Sequence, residues 1–85
     1  MALQLEVLRN DGTLFPYGKF LVELAERIAY GTGASLQEAE KMSNTVAFYL
    51  AVHKTEEEAL SCFSLSVLDR GTRKWLHSLT FHRYY

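Results

Sequence analysis

The turn sequence Asn10–Gly12, which reads Asn-Asp-Gly, is the feature that most constrains the fold of this chain. Asn, Asp and Gly tolerate the positive φ angles of tight hairpin turns. Before the turn, apolar and polar residues alternate over 3–7, which is typical of a strand with one buried face. We therefore predict a hairpin whose second strand covers 13–15. Pro16 ends that strand because it cannot donate a ladder hydrogen bond.

Two amphipathic helices are predicted after the hairpin. From Lys19 onward, apolar residues recur at helical spacing until Gly31 and Gly33, which are expected to stop the helix. The sequence Ser35-Leu36-Gln37-Glu38 is a capping box, in which the serine hydroxyl and the glutamate satisfy free backbone groups at a helix start. The second helix is predicted to end near Val52.

Two further helices are predicted in the second half of the chain. A second capping box begins at Thr55 and predicts a third helix over 56–70, ended by Gly71. A fourth helix is predicted over about 72–84. These elements should share one core, for which we expect the following buried residues: Leu24, Ile28, Val46, Leu50, Leu60, Phe63, Trp75 and Leu79.

The predicted fold class is α+β, with an N-terminal β-hairpin packed on four α-helices in a single domain over 1–85. A two-stranded hairpin is marginal in water and needs helices against it. The segment Val52-His53-Lys54 is a candidate for a short third strand.

Composition argues against several classes of protein. Nine Lys and Arg residues against ten Asp and Glu residues give a net charge of −1, whereas a dedicated nucleic-acid module is usually strongly basic. The single cysteine excludes a disulfide within the chain. The apolar runs are too short to span a membrane, and the N-terminus lacks the pattern of a secretion signal. We expect a cytoplasmic protein without membrane association.

The sequence offers little support for catalysis or metal binding. No nucleophile and acid/base pair stand at an interpretable spacing, so an enzyme is not expected. His77 and His82 are five residues apart, and neither they nor His53 has an evident partner ligand, so no metal site is predicted. Cys62 is interpreted as a small core residue.

Two surface features leave alternatives open. Arg70, Arg73 and Lys74 form a basic run, which is either solvated or contacts phosphate or an acidic partner. The aromatic tail, with Phe81, Tyr84 and Tyr85, either packs back on the hairpin or forms an exposed patch for another chain.

The order of elements, together with two short motifs, resembles the ATP-cone, the nucleotide-sensing domain of ribonucleotide reductases and of their transcriptional repressor. The family typically starts Val-x-Lys-Arg-Asp-Gly, followed by a hydrophobic residue and Pro-Phe-Asp. This chain has Val-Leu-Arg-Asn-Asp-Gly over 7–12 and Phe-Pro-Tyr-Gly over 15–18. Thr55 stands where the family opens its third helix, and the sequence over 75–83 is similar in pattern to the repressor's last helix. The resemblance covers nearly the whole chain, which would be a divergent member of the ATP-cone family.

The resemblance implies a regulatory module that binds an adenine nucleotide, ATP or dATP, between hairpin and helices. Carried over position by position, the binding residues would be Arg9, Asp11, Gly12, Lys19 and Thr55. Because Asn10 stands at the place of the second cation, we expect weak binding. The mechanism would be allosteric, with nucleotide contacts that differ between two assembly states.

A second hypothesis keeps the fold without the ligand. In it, the domain is a protein-interaction or dimerisation module, and the aromatic tail supplies its surface. We therefore expect a protein partner or a homo-oligomer, and no nucleic acid.

Overall fold

A computed structural model describes residues 4–84, and these form an α+β fold with helices on one face of an antiparallel sheet. This confirms the predicted class. The elements in chain order are β1 Gln4–Leu8, β2 Leu14–Phe15, α1 Tyr17–Thr32, α2 Leu36–Val52, α3 Glu56–Leu60, α4 Arg70–His77 and β3 Thr80–Tyr84.

The sheet has the strand order β2-β1-β3. The predicted hairpin is present, with Val7 opposite Phe15 and Gly12 at φ 86° in the turn. Along its other edge, β1 pairs antiparallel with all of β3, for example Val7 with Phe81. Val7, Phe15 and Phe81 are buried against the helices, whereas Glu6 and His82 lie on the open face.

The third strand corrects two predictions. The segment 52–54 is the end of α2 and a bend, not a strand, and the predicted fourth helix does not continue to residue 84. It ends at His77, and β3 follows after a short turn. The residues of β3 alternate around the buried Phe81, and their backbone groups bond to β1, a partner that local sequence does not reveal. The aromatic tail thus packs back on the hairpin; Tyr85 lies outside the described residues.

The first two helices form as predicted. α1 ends at Gly33, whose left-handed φ of 76° is accessible to glycine, so Gly33 and not Gly31 is the stop. Ser35 caps α2 and accepts a hydrogen bond from the Glu38 amide at 3.2 Å. The two helices pack side by side, and the buried Ser43 hydroxyl donates to the Leu21 carbonyl at 2.8 Å.

The predicted third helix over 56–70 is wrong beyond its first turns. Thr55 caps α3 as expected, but the helix ends at Leu60 and is followed by an irregular segment, 61–69. Asp69 accepts a hydrogen bond from the Thr72 amide at 2.8 Å and thereby starts α4. Because an N-cap residue is not helical, the chain cannot run as one helix through this point. Gly71, the predicted stop, therefore lies inside α4.

Most of the predicted core is confirmed. Leu24, Ile28, Val46, Leu50, Leu60 and Leu79 are buried, while Phe63 and Trp75 are only half-buried. The centre of the core is an aromatic group that includes Trp75 of the predicted core. Phe20 is fully buried, and its ring stacks on Trp75 with centroids 5.7 Å apart. It also meets Phe15 and Phe81 edge-on at 5.9 Å each. Cys62, predicted to be buried, is exposed.

Candidate functional site

Arg9, the first predicted nucleotide ligand, lies exposed at the start of the hairpin turn. Its guanidinium carbon is 4.3 Å from the centroid of the Phe15 ring, and Nη1 donates to the Leu14 carbonyl at 3.3 Å. These two contacts orient the side chain. A guanidinium has five N–H donors, so one carbonyl bond leaves donors for an anion.

Asp11 and Gly12 are used by the turn itself. The Asp11 carboxylate accepts from the Thr13 amide at 2.9 Å and from the Thr13 hydroxyl at 2.7 Å. These bonds, hydroxyl first, lower the pKa of Asp11. The Gly12 amide donates to the Arg9 carbonyl at 2.9 Å. Both residues therefore shape the turn on which Arg9 lies.

Lys19 and Thr55 are placed differently. Lys19 lies in the first turn of α1 and lines a shallow pocket of about 590 Å³ together with Glu23 and Glu26. Those carboxylates disfavour a phosphate there. Thr55 accepts from the Glu58 amide at 3.1 Å as the cap of α3. Over residues 4–84, no hydrogen bond or ion pair joins Lys19 or Thr55 with Arg9, and their binding role stays a prediction.

The structure also contains a pocket that the sequence did not indicate, at the edge of the sheet. Strand β2 ends at Phe15 after two residues, because the next position of the register, opposite Glu6, is Pro16, the N-cap of α1, and the one after it, opposite Leu5, is Tyr17, which is already helical. The space left beside β1 has a volume of about 500 Å³. This sheet-edge pocket is lined by the following residues: Leu5, Glu6, Val7, Leu14, Phe15, Pro16, Tyr17, Ala51 and Tyr84.

The rim of the sheet-edge pocket is apolar with one carboxylate. The large side chains Leu14, Tyr17 and Tyr84 are 57%, 43% and 48% exposed there. Burial of the remaining part of Tyr17 raises the pKa of its hydroxyl. Glu6 Oε1 accepts a hydrogen bond from the Tyr84 hydroxyl at 3.4 Å and lies 3.8 Å from His82 Nδ1. Such a surface suits a partly apolar ligand with a positive group.

The sequence could have shown part of this pocket. Pro16 directly after a two-residue strand signals an early end of β2, and the aromatic tail signals an apolar surface. Their meeting with Leu5 and Ala51 depends on the β1–β3 pairing and on the path of α2. Neither is visible in local sequence.

Each histidine lies near one polar side chain, a contact that the sequence did not reveal. Cys62 Sγ lies 3.7 Å from His53 Nε2. His77 Nδ1 lies 2.9 Å from Glu56 Oε1, an ion-pair distance without hydrogen-bond alignment. Across residues 4–84 no three His, Cys, Asp or Glu side chains come together as metal ligands.

The basic run of α4 is divided by the fold. Arg73 turns inward and donates hydrogen bonds to the carbonyls of Leu60, Phe63 and Leu68. Arg70 and Lys74 stay exposed. A three-cation surface patch is therefore not formed.

Together, fold and site define a small α+β domain with an oriented arginine at its hairpin turn and an apolar pocket at its sheet edge. Comparisons of the chain with family models, with curated proteins and with solved structures give no match. Among the helices of residues 4–84, none has both the length and the apolar character needed to cross a membrane.

Proposed function

We propose that this domain is a protein-interaction module that binds an extended segment of a partner protein at the sheet-edge pocket. One observation supports this most strongly. Three of the large apolar side chains that are exposed, Leu14, Tyr17 and Tyr84, line one pocket instead of being scattered. Grouped exposed apolar surface marks interaction sites in soluble proteins, whereas single exposed residues need no explanation.

The backbone of β1 favours an extended partner. The Arg9 amide donates to the Thr13 carbonyl, and alternate residues of a strand turn their N–H and C=O groups to the same side. Leu5 therefore also faces the β2 side, where β2 has already ended. Within residues 4–84 no backbone hydrogen bond fills this side of Leu5. An added strand would satisfy these groups and place side chains into the pocket.

A selection of peptides tests this function. A phage library of random peptides is panned against the immobilised domain, and synthetic versions of the selected sequences are titrated into labelled protein by NMR. We expect shifts at Leu5, Glu6 and Tyr17 and affinities of about 10–100 μM.

The matched pair for this test is Leu14→Lys and Leu65→Lys, because both leucines are 57% exposed and only Leu14 lines the pocket. Leu14→Lys should abolish peptide binding while Leu65→Lys retains it. A library that yields no peptide shifting the pocket signals, or equal losses in both variants, would contradict the proposal.

A second candidate function is weak binding of ATP or dATP, supported by the orientation of Arg9 over Phe15. The guanidinium lies at an exposed turn, where charge-assisted hydrogen bonds to phosphate can form. Few cations accompany it, so we expect micromolar to millimolar affinity. In this function the domain is a regulatory module whose assembly responds to the nucleotide.

Titration of labelled protein with ATP and dATP to millimolar concentration tests the nucleotide. Shifts should centre on 9–13 and weaken in Arg9→Ala, whereas Arg70→Ala, which removes an exposed arginine of α4, should have no effect. Absence of shifts, or shifts confined to 70–74, would leave the interaction module as the single proposal.

A further inference from the structure

We infer that the partner segment places a lysine or arginine side chain in the sheet-edge pocket, between Tyr17 and Tyr84 and against Glu6. This inference rests on the proposed interaction function and names the chemistry of its partner. The selective feature is the combination of two partly exposed phenol rings with a single carboxylate.

The charge of the pocket lining favours a cation. Glu6 is the one acidic residue among the lining residues, and no lysine or arginine is among them. The faces of tyrosine rings attract cations through their quadrupole, and the attraction grows when water is displaced. The aliphatic stem of a lysine or arginine can lie along Leu14 while its head reaches the carboxylate.

Glu6 is positioned to receive this charge. It pairs with His82 in the register and lies near the Tyr84 side chain two residues further along β3. Both described polar contacts, with the Tyr84 hydroxyl and with His82 Nδ1, involve Oε1. Among the side chains that the structure describes, none bonds to Oε2, which offers a second acceptor to an incoming donor. The Tyr84 hydroxyl contact, at 3.4 Å, places the carboxylate next to that phenol ring.

This preference separates the two candidate sites. A carboxylate repels phosphate, so an adenine nucleotide should avoid the sheet-edge pocket and meet Arg9 instead. His82 competes with an incoming cation whenever its ring is protonated, because it lies 3.8 Å from Oε1 and would then offset the charge of Glu6. His82→Gln should therefore bind a cationic peptide at least as tightly as the native protein.

Three synthetic peptides test the inference: acetyl-Ser-Val-Lys-Val-Ser-amide and its analogues with norleucine or glutamate at the centre. They are titrated into labelled protein and followed by NMR. The lysine peptide should bind about tenfold more tightly than the norleucine peptide, in keeping with one ion pair and a cation–π contact. The glutamate peptide should bind most weakly.

Surface variants localise the effect. Glu6→Gln and Tyr84→Leu should each remove most of the advantage of lysine over norleucine. Glu40→Gln, which neutralises an exposed carboxylate of α2 outside the pocket lining, should leave it unchanged. The NMR spectra themselves report whether each variant is folded.

The outcomes distinguish the two proposals. Equal binding of lysine and norleucine peptides at the pocket overturns the cationic partner and leaves the interaction function standing. If library-selected peptides bind at the pocket but none of the three synthetic peptides does, the cationic partner is likewise overturned and the interaction function stands. Failure of every library peptide to shift the pocket removes the interaction function itself.

Discussion

The α1–α2 pair and the segment 61–69 are both fixed in place, but by opposite means. The two helices bury an apolar stripe that includes Leu24, Ile28 and Leu50. The segment 61–69 leaves most of its side chains exposed, and Arg73 holds it by donating to the carbonyls of Leu60, Phe63 and Leu68. The helix pair is thus stabilised by apolar burial, whereas the segment 61–69 combines the burial of Leu68 with the hydrogen bonds of one guanidinium.

This difference explains why the two helices could be predicted from the sequence and the structure of segment 61–69 could not. An apolar stripe repeats every three or four residues, so its period predicts a helix. The acceptors of Arg73 lie five, ten and thirteen residues before it, a spacing with no period. A buried guanidinium needs acceptors wherever the fold supplies them.

The largest effect is expected in the apolar region. Phe20→Ala should reduce the free energy of unfolding by about 3–5 kcal/mol, because Phe20 is fully buried between Phe15, Trp75 and Phe81. Urea denaturation measures the loss. Phe48→Ala is the matched control, since Phe48 is 58% exposed on α2, and it should cost less than about 1 kcal/mol. Similar losses in both variants would contradict the assigned core.

The second prediction concerns the polar region. Arg73→Lys should cost about 2 kcal/mol, because one ammonium cannot reach three carbonyls that a planar guanidinium spans. Hydrogen exchange should accelerate over 61–69 and stay unchanged in the middle of α1. Arg70→Ala, at an exposed position of the same helix, is the control. Uniform acceleration across the whole domain would show that the segment does not open on its own.

Sequence reasoning succeeded where the interactions are local. The hairpin turn, the stop at Gly33 and the caps Ser35 and Thr55 depend on neighbours within a few residues. It failed for β3, because a strand of five residues is defined by its partner β1 more than seventy positions away. It also failed for α3, where the cap at Asp69 starts a new helix within an otherwise continuous pattern.

The candidate functional residues also include a local group that could be predicted from the sequence and a non-local group that could not. Arg9, Asp11 and Gly12 share one turn, so their proximity follows from the sequence. The sheet-edge pocket joins Leu5 with Tyr84 and other residues from separate parts of the chain. It arises from the mismatch between a five-residue β1 and a two-residue β2, which becomes apparent once the register is known.

The third prediction compares the two caps. Ser35→Ala and Thr55→Ala should each cost about 1 kcal/mol. Because α3 has only five residues, loss of its cap should raise hydrogen exchange throughout that helix, whereas loss of the Ser35 cap should affect only the first turn of α2. Thr45→Ala is the control, since that hydroxyl bonds only to the Lys41 carbonyl within α2. If hydrogen exchange rose over the same number of turns in both cap variants, the predicted difference between α3 and α2 would be wrong.

The smallest effect is a pH dependence that contrasts two carboxylates, Glu56 at the start of α3 and Asp69 at the end of segment 61–69. Burial raises the pKa of Glu56 above its ordinary 4.5, with His77 and Arg83 acting in the opposite direction. The folded state therefore binds this proton before the unfolded state does, and the contribution of Glu56 to stability rises as pH falls through the raised pKa towards 4.5. Hydrogen bonds from Thr72 lower the pKa of Asp69, so its contribution is present above its ordinary 3.8 and is lost as pH falls below that value.

Urea denaturation at steps between about pH 2.5 and pH 7 separates the two signs. Relative to Glu56→Gln, the native protein should gain stability as pH falls across the upper part of this range, because the penalty for a partly buried charge disappears on protonation. Relative to Asp69→Asn, it should lose stability, and only at the acidic end. Both changes should be smaller than a cap deletion, because solvent contact screens these groups. A native protein that loses stability relative to Glu56→Gln on acidification would mean that the ion pair with His77, 2.9 Å away, outweighs burial at this position.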